Sequence, residues 1–349
     1  MSLKKIAQLT GLSIATVSHA LNGTRAVSDE SREKILQAAK EVGYKPNIAA
    51  RTLRIQKSNT IAIIIPSDIG NTNANYFYMD VIMGLRKKMM ETNYELIVST
   101  YDPHGGVEKS LPSAQVLRQH WVDGVIVVPS SHSQRQIKSI REMGLPYVLL
   151  DRRSDDDSSC VTSDNQKGAA DAVRLFAACG KRRIGFIGGT GTATGRQRYS
   201  GYMEALETLG LPIDDSLIRL FSSYSLDQGE QGARWLLASG VDAILAADNV
   251  MMMGTLCALK TDGIRIPEEV GVIGFDDFDW MDMLSPPLTT VKQQAYQMGY
   301  IAAEVLLRKL SGIDTIEVVV LDTTLVVRES HGICSEQPAN SSILMAQNT

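Results

Sequence analysis

The sequence predicts an α/β protein in which a small helical head precedes two doubly wound parallel α/β subdomains. From Thr60 onward, short apolar runs alternate with amphipathic helical stretches, many of which end at a glycine. Continuous apolar strands separated by helices are typical of parallel sheets covered on both faces. Eight or more such strands exceed one comfortable open sheet, so two halves are expected in this chain of 349 residues.

The head, residues 1–45, is predicted to contain three short helices. The first covers residues 3–10 and ends at Gly11, the second runs to about Leu21, and the third ends at Gly43. Serines are placed to cap all three helices, namely Ser2, Ser13 and Ser28. Two helices joined by a tight turn that contains glycine match a helix-turn-helix.

The charge of the chain is unevenly distributed. Residues 1–57 carry a formal charge of +6, whereas the remainder carries −10. A small basic head on an acidic body predicts a polyanionic partner for the head alone.

The second helix presents two different faces on a helical wheel. Its apolar side is predicted to pack on the first helix and holds Ile14, Val17 and Leu21. The opposite side holds Ala15, Thr16 and His19, whose methyl, hydroxyl and imidazole groups suit the edges of DNA bases. A solvated face is the alternative, and the head's charge and glycine turn favour DNA.

Residues 46–59 are predicted to be a linker that includes a short helix. Pro46 ends the preceding element, and Asn47 can cap the segment IAARTLR. So short a helix is marginal in water, so the segment is expected to become ordered only in context.

The body is assigned to residues 60–332. Its predicted strands are IAIIIP, YELIVST, GVIVVPS, YVLLD, RIGFIGG, IRLFS, AILAAD and GVIGFDD. The N-subdomain is expected at about 60–160 and 292–320, and the C-subdomain at about 161–291 and 321–332. Residues 333–349 are expected to be a disordered tail.

The head resembles the DNA-binding head of the lactose/galactose repressor (LacI/GalR) family. The resemblance covers residues 3–54 without gaps and includes the motifs TVSHALNG, GYKPN and AARTLR. It continues through DGVIVVPS, GFDD and PPLTTVKQ to LVVRES, and the TVSH and GTR segments are most similar to the purine and ribose repressor branch. The resemblance implies a body like the periplasmic binding proteins.

The resemblance also implies a set of DNA-binding residues. In the head and linker they are Ser13, Ile14, Ala15, Thr16, Ser18, His19, Asn22, Arg25, Asn47, Ala50, Leu53 and Arg54. In this family the segment after Pro46 forms a hinge helix on DNA, and Leu53 stands at the position of the leucine that wedges open the central base step. Packing of Leu53 on the body is the alternative role.

Polar residues at the ends of the predicted strands are the candidates for an effector site, because ligands of doubly wound sheets bind there. Asp151, Tyr224, Asp248 and Asp276 follow strands, and Arg198 lies near the start of a helix. Carboxylates and an arginine suit a polyhydroxylated ligand. Aromatic walls for a sugar ring or a nucleobase are expected from Tyr76, Phe77 and Tyr224.

The resemblance supports all seven positions and marks two departures from the family. The loop PSDIGNTNANYF is three to four residues longer than usual, which bears on Tyr76 and Phe77. The segment AADNVMMMG has Asp-Asn where relatives commonly have Asn-Asp, which bears on Asp248. Capping or loop solvation is the alternative role of each of these polar residues.

Several other classes of protein fit the sequence less well. No apolar run of about 18 residues predicts a membrane span, and no signal peptide precedes the head, so a cytoplasmic location is expected. The four cysteines are scattered and are expected to be reduced and unpaired. No histidine spacing predicts a metal site, no cofactor is expected, and Met251–Met253 are expected to pack in the core.

The sequence therefore predicts an effector-controlled transcriptional regulator, most simply a repressor, which binds a pseudo-palindromic operator as a homodimer. A sugar or sugar derivative is the expected effector, with a nucleobase as the alternative. Two rival interpretations are a transport-type sugar-binding protein and a Rossmann-type enzyme. The second rests on the glycine-rich GFIGGTGTATG, which lacks the full dinucleotide-binding pattern.

Overall fold

The computed structural model divides the chain into two compact units, Met1–Ser58 and Asn59–Thr349. The residues that it describes are 3–22, 25–44, 57–66, 76–102, 117, 121–129, 133–152, 157–222, 224–334 and 343–345. Most of the predicted linker lies outside these residues, including Asn47, Ala50, Leu53 and Arg54.

The first unit contains the three predicted helices, α1 (Leu3–Thr10), α2 (Ile14–Asn22) and α3 (Asp29–Glu41). One fully buried aliphatic residue from each helix forms its core: Ile6, Val17 and Ile35. The three helices thus share one small apolar centre, and the predicted helix-turn-helix arrangement is confirmed.

The helix ends agree with the prediction at two positions and differ at a third. Gly11 has φ +70° in the turn between α1 and α2, a conformation that glycine adopts without a steric cost. Ser13 accepts a hydrogen bond from the backbone N–H of Thr16 at 3.0 Å. Ser28 stands at the N-cap position of α3, but its hydroxyl donates to Oγ of Ser31 at 2.9 Å and does not cap the backbone.

The second unit contains two β-sheets, and helices connect many of their strands. Its helices are α4 (Tyr76–Met89), α5 (Ser133–Glu142), α6 (Asn165–Ala178), α7 (Ala193–Thr208), α8 (Leu226–Ala238), α9 (Asn249–Thr261) and α10 (Ala295–Leu310). The strands of the first sheet are β1 (Thr60–Pro66), β2 (Glu95–Tyr101), β3 (Gly124–Val127), β4 (Tyr147–Leu150), β5 (Cys160–Ser163) and β11 (Val318–Leu321).

The second sheet has seven strands. They are β6 (Ile184–Gly189), β7 (Ile218–Phe221), β8 (Ala243–Ala246), β9 (Gly271–Phe275), β10 (Thr289–Lys292), β12 (Thr324–Val327) and β13 (Ile343–Met345). The strand orders are β11-β5-β4-β3-β1-β2 and β13-β12-β10-β9-β8-β6-β7. All pairings described are parallel except that of β10 with β12. Two doubly wound parallel subdomains are therefore confirmed.

The chain passes between the two sheets three times. β5 extends the first sheet to Ser163, slightly beyond the expected boundary at 160. The chain returns through α10 after β10, and it leaves the first sheet again after Leu321. The three connections contact one another, since the backbone N–H of Asp164 donates to the carbonyl of Leu321 and the side chain of Gln294 donates to the carbonyl of Asp322.

The expected disordered tail contains one more strand. Ile343–Met345 pairs in parallel with Leu325–Val327 and extends the second sheet at its edge. Three residues of the tail that was expected to be disordered therefore lie in a strand. Its three consecutive apolar residues can pair with the apolar strand β12. The segment is short and lies between polar residues, so its apolar pattern does not predict a strand.

The cysteines also differ from the expectation. Cys179 and Cys334 form a disulfide across 155 positions of the sequence, whereas Cys160 and Cys257 are free. Cys179 is the C-cap of α6, and Gly332, with φ +119°, turns the chain back toward that helix end. The folded chain thus brings together two thiols that are far apart in sequence.

Two further points concern the helices. Met251 and Met252 are fully buried on α9, as predicted, and Met253 is half-buried. Among the residues described, no helix has the length and the apolar character that a membrane span requires.

Candidate functional site

Asp151 and Asp276 occupy matching positions in the two halves of the second unit. Each follows the last residue of a central strand, β4 or β9, and each is buried. Their φ angles are +66° and +67°, which for residues other than glycine is uncommon and costs about 1–3 kcal/mol. Such strain at two facing strand ends is typical of a functional site.

Asp276 is held by amides from both sides. The side chain of Asn249 donates to Oδ2 at 2.9 Å, and that of Gln293 donates to Oδ1 at 2.6 Å. Burial raises the pKa of the Asp276 carboxyl to about 6, although Arg198 and the hydrogen bond from Gln293 act in the opposite direction. Asp151 and Asp248 add to the rise, which shows that all these groups share one electrostatic environment.

Arg198 lies on α7 and is buried beside this carboxylate. Its Nε donates to Oδ1 of Asn165 at 2.9 Å, and one terminal nitrogen donates to the carbonyl of Ala247 at 2.8 Å. The guanidinium carbon stands 3.8 Å from the ring centroid of Phe275. These contacts fix the arginine and leave part of its donor capacity for a ligand.

Asp151 connects the two halves. Its Oδ2 accepts a hydrogen bond from the phenol of Tyr78 at 3.1 Å and lies 3.6 Å from Nε of Arg152. Its carbonyl accepts hydrogen bonds from Thr162, in the first half, and from Thr194, in the second half, at 3.1 and 3.2 Å. Burial raises the pKa of Tyr78, and the charge of Asp151 adds to that rise.

Tyr224 and Asp248 mainly contact their own subdomain. The Tyr224 hydroxyl lies 2.9 Å from that of Thr192, and burial raises the pKa of Tyr224. Asp248 caps α9, where it accepts hydrogen bonds from the backbone N–H groups of Val250 and Met251. The structure thus gives Asp248 a capping role, and it is the next residue, Asn249, that contacts Asp276.

Aromatic rings line the mouth of this cleft. The rings of Tyr76 and Phe278 are 5.3 Å apart, and Trp280 stacks beside Phe278 at 6.1 Å. Tyr76 is 50% exposed, whereas Phe77 is buried. The rings border a cavity of 280 Å³ that is also lined by Asp276 and Gln293. Its volume is near the lower end of small-molecule sites.

Three buried polar atoms in this region have no hydrogen-bond partner among the described residues. They are Nε of Arg152, Oγ of Ser163 and Oε1 of Gln293. Burial without a partner costs about 1–3 kcal/mol for each such group. A bound molecule with several hydroxyl groups would satisfy them.

The sequence predicted the three aspartates and Arg198 of the cleft, but not Arg152 or the amides. The missed residues that contact the predicted ones are Tyr78, Arg152, Asn165, Thr194, Asn249 and Gln293. Several of them follow strand ends, as Asn165 follows β5 and Gln293 follows β10. A polar residue that follows a strand end is a candidate for the site, but β5 and β10 were not among the predicted strands, so Asn165 and Gln293 were not recognised.

The exposed face of α2 is the second candidate site. Ala15 is exposed, and Thr16, Ser18 and His19 are half-buried. Ile14 is 44% exposed and Ala20 is buried, so the wheel assignment of Ile14 to the packed side was wrong. Ile14 lies at the edge of the apolar side, where its side chain can reach a partner.

The remaining predicted DNA contacts are described only in part. Ser13 and Arg25 are exposed. The side chain of Asn22 and the whole of Asn47, Ala50, Leu53 and Arg54 lie outside the described residues.

The glycine-rich loop after β6 does not form an open phosphate cradle. A Cβ at Gly189 would meet the ring of Tyr224 at 2.6 Å, and one at Gly191 would meet the carbonyl of Ser222 at 2.5 Å. The glycines therefore allow close packing of the loop against Tyr224.

Two family models match the chain. Residues 2–47 match the model described as bacterial regulatory proteins, lacI family, and residues 173–331 match the periplasmic binding protein-like domain. The first match coincides with the helical head and the second with most of the second sheet.

Curated relatives and solved structures match nearly the full length. The transcriptional regulator CelR of Thermobifida fusca is 33% identical over 94% of this chain and 98% of its own length. The structure of a CelR–cellobiose complex has a TM-score of 0.72 at 31% identity and covers 95% of this chain and 99% of its own. The lac repressor dimer bound to operator and the anti-inducer ONPF has a TM-score of 0.81 over 95% of this chain and 99% of its own, and at 23% identity it shows the fold alone.

Proposed function

Because this chain belongs to the LacI family of bacterial transcriptional regulators, we propose that its second unit senses a sugar-like effector and thereby controls how its head binds DNA. The chain is an HTH-type transcriptional regulator, as its relative CelR is, and operator DNA is its proposed partner. Repression is the mode we propose, with the chain acting as a dimer on a pseudo-palindromic operator in the cytoplasm, where that DNA lies.

The exposed face of α2 is proposed to read base edges in the major groove. Thr16 and His19 offer a hydroxyl and an imidazole, and Ala15 and Ile14 offer apolar contacts to thymine methyl groups. The formal charge of +6 on residues 1–57 supplies the attraction to phosphates that all sequences share.

The cleft is proposed to bind a polyhydroxylated molecule of the sugar class. The observation that carries this proposal is the set of buried polar atoms without partners, Arg152 Nε, Ser163 Oγ and Gln293 Oε1, beside the buried Asp276 and Arg198. Together they offer both donors and acceptors, which a ring of hydroxyl groups can satisfy. The CelR complex with cellobiose supports a sugar over a nucleobase.

Aromatic rings support the same class of ligand. The face of a sugar ring packs its C–H groups on flat aromatic surfaces, and Tyr76, Phe278 and Trp280 provide such surfaces at the mouth. Phe77 lines the same cavity and is buried like Phe278, so it is proposed to belong to the same aromatic wall.

Control is proposed to act through closure of the cleft. Asp151 already touches both halves, since its carbonyl accepts from Thr162 and from Thr194. A ligand that bridges Asp276 and Arg152 would favour one spacing of the halves over another, and a ligand shifts an equilibrium only through such differential contacts. The shift would change operator affinity.

A thermal-shift screen tests this proposal. Full-length protein is mixed in turn with monosaccharides, disaccharides, sugar phosphates and purines, and a specific ligand raises the unfolding temperature by mass action. We expect stabilisation by one or a few neutral sugars, and none by that sugar in an Arg198→Ala variant. Stabilisation by purines alone would contradict the sugar assignment.

A further inference from the structure

Two cysteines and a histidine lie together near the start of β9, at the end of this strand opposite to the cleft. The sulfur atoms of Cys179 and Cys334 and a ring nitrogen of His331 all lie within 4.8 Å of one another. His331 adjoins the first residue of β9, Gly271, whereas Asp276 follows the last. This group is therefore separate from the proposed effector site.

His331 is held in one orientation by its neighbour. Its Nδ1 lies 2.9 Å from the hydroxyl oxygen of Thr289, and that oxygen accepts a hydrogen bond from the backbone N–H of Arg328. In the tautomer that carries the imidazole proton on Nε2, the Thr289 hydroxyl donates to Nδ1. Nε2 lies 3.7 Å from Sγ of Cys334, so it can donate to that sulfur.

The surroundings keep the imidazole neutral, and they stabilise the thiolate form of the two cysteines to different degrees. Burial lowers the pKa of His331 to about 4, and the charge of Lys181 acts in the same direction, whereas a hydrogen bond with the backbone of Arg328 opposes them. In that tautomer the Nε2–H group can donate to Sγ of Cys334, 3.7 Å away, and such a donor stabilises a thiolate. Cys179 caps the C-terminus of α6, where the helix dipole disfavours negative charge. Cys334 is thus the better nucleophile.

We propose that Cys179 and Cys334 are a reversible thiol–disulfide pair that responds to peroxides, with Cys334 as the reactive thiol and His331 as its positioning residue. The thiolate of Cys334 attacks one oxygen of hydrogen peroxide, so that an S–O bond forms, the O–O bond breaks and hydroxide leaves. The thiolate of Cys179 then attacks the sulfur of Cys334, so that the S–S bond forms and the S–O bond breaks. Both oxygens leave as water, and the two thiols lose two electrons and two protons in total.

The bond links distant parts of the C-subdomain. It ties the end of α6 to the segment after β12, and Ser330 beside it exchanges hydrogen bonds with Val272 at the start of β9. The loop that it closes spans 155 positions, and closing a long loop restricts the unfolded chain. Oxidation is therefore expected to stabilise this subdomain.

A metal site is the competing interpretation of the same residues. Two thiolates and a histidine are ligands that zinc prefers, but zinc in structural sites takes four, and the described residues offer three. The sulfurs are also bonded to each other, which leaves neither as a thiolate. The observations favour the disulfide.

Thiol counting on the full-length protein tests the pair. After reduction, we expect four thiols to react with Ellman's reagent in denaturant. After stoichiometric hydrogen peroxide we expect two, and a non-reducing digest should contain one linked peptide joining Cys179 to Cys334. Cys257→Ser is the matched control, because it should remove one thiol and leave the peroxide response unchanged. Cys334→Ser should abolish the response.

The role of His331 is tested by a rate. His331→Asn should slow the peroxide reaction about tenfold or more at neutral pH, because the sulfur loses its donor, while the linked peptide still forms at long times. An unchanged rate overturns the role of His331. Four thiols after oxidation, a linked peptide that contains Cys257, or one zinc per chain that protects Cys179 and Cys334 from peroxide overturns the proposed pair.

Discussion

At the residue scale, Asp276 carries the proposed effector site. It lies buried after β9, where Asn249 and Gln293 each donate to one of its oxygens, and Arg198 lies beside it. Each carboxylate oxygen has room for a second donor. An effector hydroxyl placed there would gain a charge-assisted hydrogen bond, which is about twice as strong as a neutral one.

The pKa of Asp276 predicts how effector binding depends on pH. Burial raises this pKa from 3.8 to about 6, so the folded protein takes up the proton more readily than the unfolded chain. Its ionisation therefore reduces folding stability as pH rises from about 4 to about 6, by about 3 kcal/mol at most. A sugar hydroxyl gains the stronger, charge-assisted hydrogen bond only from the ionised form, so we expect its affinity to fall as pH drops through about 6. Calorimetry between about pH 7.5 and about pH 5 measures this, and a flat profile would contradict it.

Asp276→Asn should weaken effector binding about tenfold or more, since the charge-assisted bond becomes neutral. The asparagine should also abolish the pH dependence of affinity. Asp215→Asn is the matched control, because Asp215 is exposed and lies outside the cleft. The measurement is titration of the stabilising sugar, and equal affinity for both variants would remove Asp276 from the site.

Sequence reasoning could identify the aspartates of the cleft but not their amide partners. Asp151 and Asp276 follow apolar runs that predict strands directly, so their place at a sheet edge can be foreseen. Gln293 follows TTVK, a run that is too short and too polar to stand out. Its contact with Asp276 depends on the pairing of β10 with β9, which only tertiary structure determines.

At the scale of elements, α2 is the part of the head proposed to read DNA. Its packing rests on Val17 and Ala20, and its other side is available to a partner. The helical period predicted this division, and it misplaced only Ile14 at the boundary of the two sides.

His19→Ala is expected to weaken operator binding by about 1–3 kcal/mol through loss of a base contact. Binding to random DNA should change little, because phosphate contacts remain. Gln37→Ala is the matched control, because Gln37 is exposed on α3 and its replacement leaves the charge of the head unchanged. Fluorescence anisotropy with operator and scrambled duplexes measures both, and an equal loss on the two duplexes would contradict base reading.

Leu53 in the linker is proposed to wedge open a base step of the operator. Leu53→Ala should reduce operator affinity severely, because a leucine wedge that unstacks a base step is lost, while the sugar still raises the unfolding temperature. Operator affinity equal to that of the unchanged protein would remove the wedge.

The edges of the second sheet show where sequence patterns fail. The segments of β12 and β13 are four and three residues long, too short for a periodic signal. Their strand character comes from pairing with neighbours that are far away in sequence. The central strands β1, β8 and β9 are nearly continuously apolar and were predicted directly.

At the scale of the whole molecule, the protein combines two compact units of opposite formal charge. The head is basic, the body is acidic, and a proposed linker separates them. If the effector changes operator affinity by some factor, operator DNA must change effector affinity by the same factor. This reciprocity distinguishes coupled sites from two independent binding functions on one chain.

The most direct test measures operator affinity of the full-length protein at moderate salt with and without the stabilising sugar. The operator is a palindromic duplex selected from a random pool. The account predicts a preference for it over scrambled DNA of about 10³-fold or more. The sugar should change that affinity, and Asp276→Asn should abolish the change. Equal binding to both duplexes, or an operator affinity that no stabilising sugar alters, would contradict it.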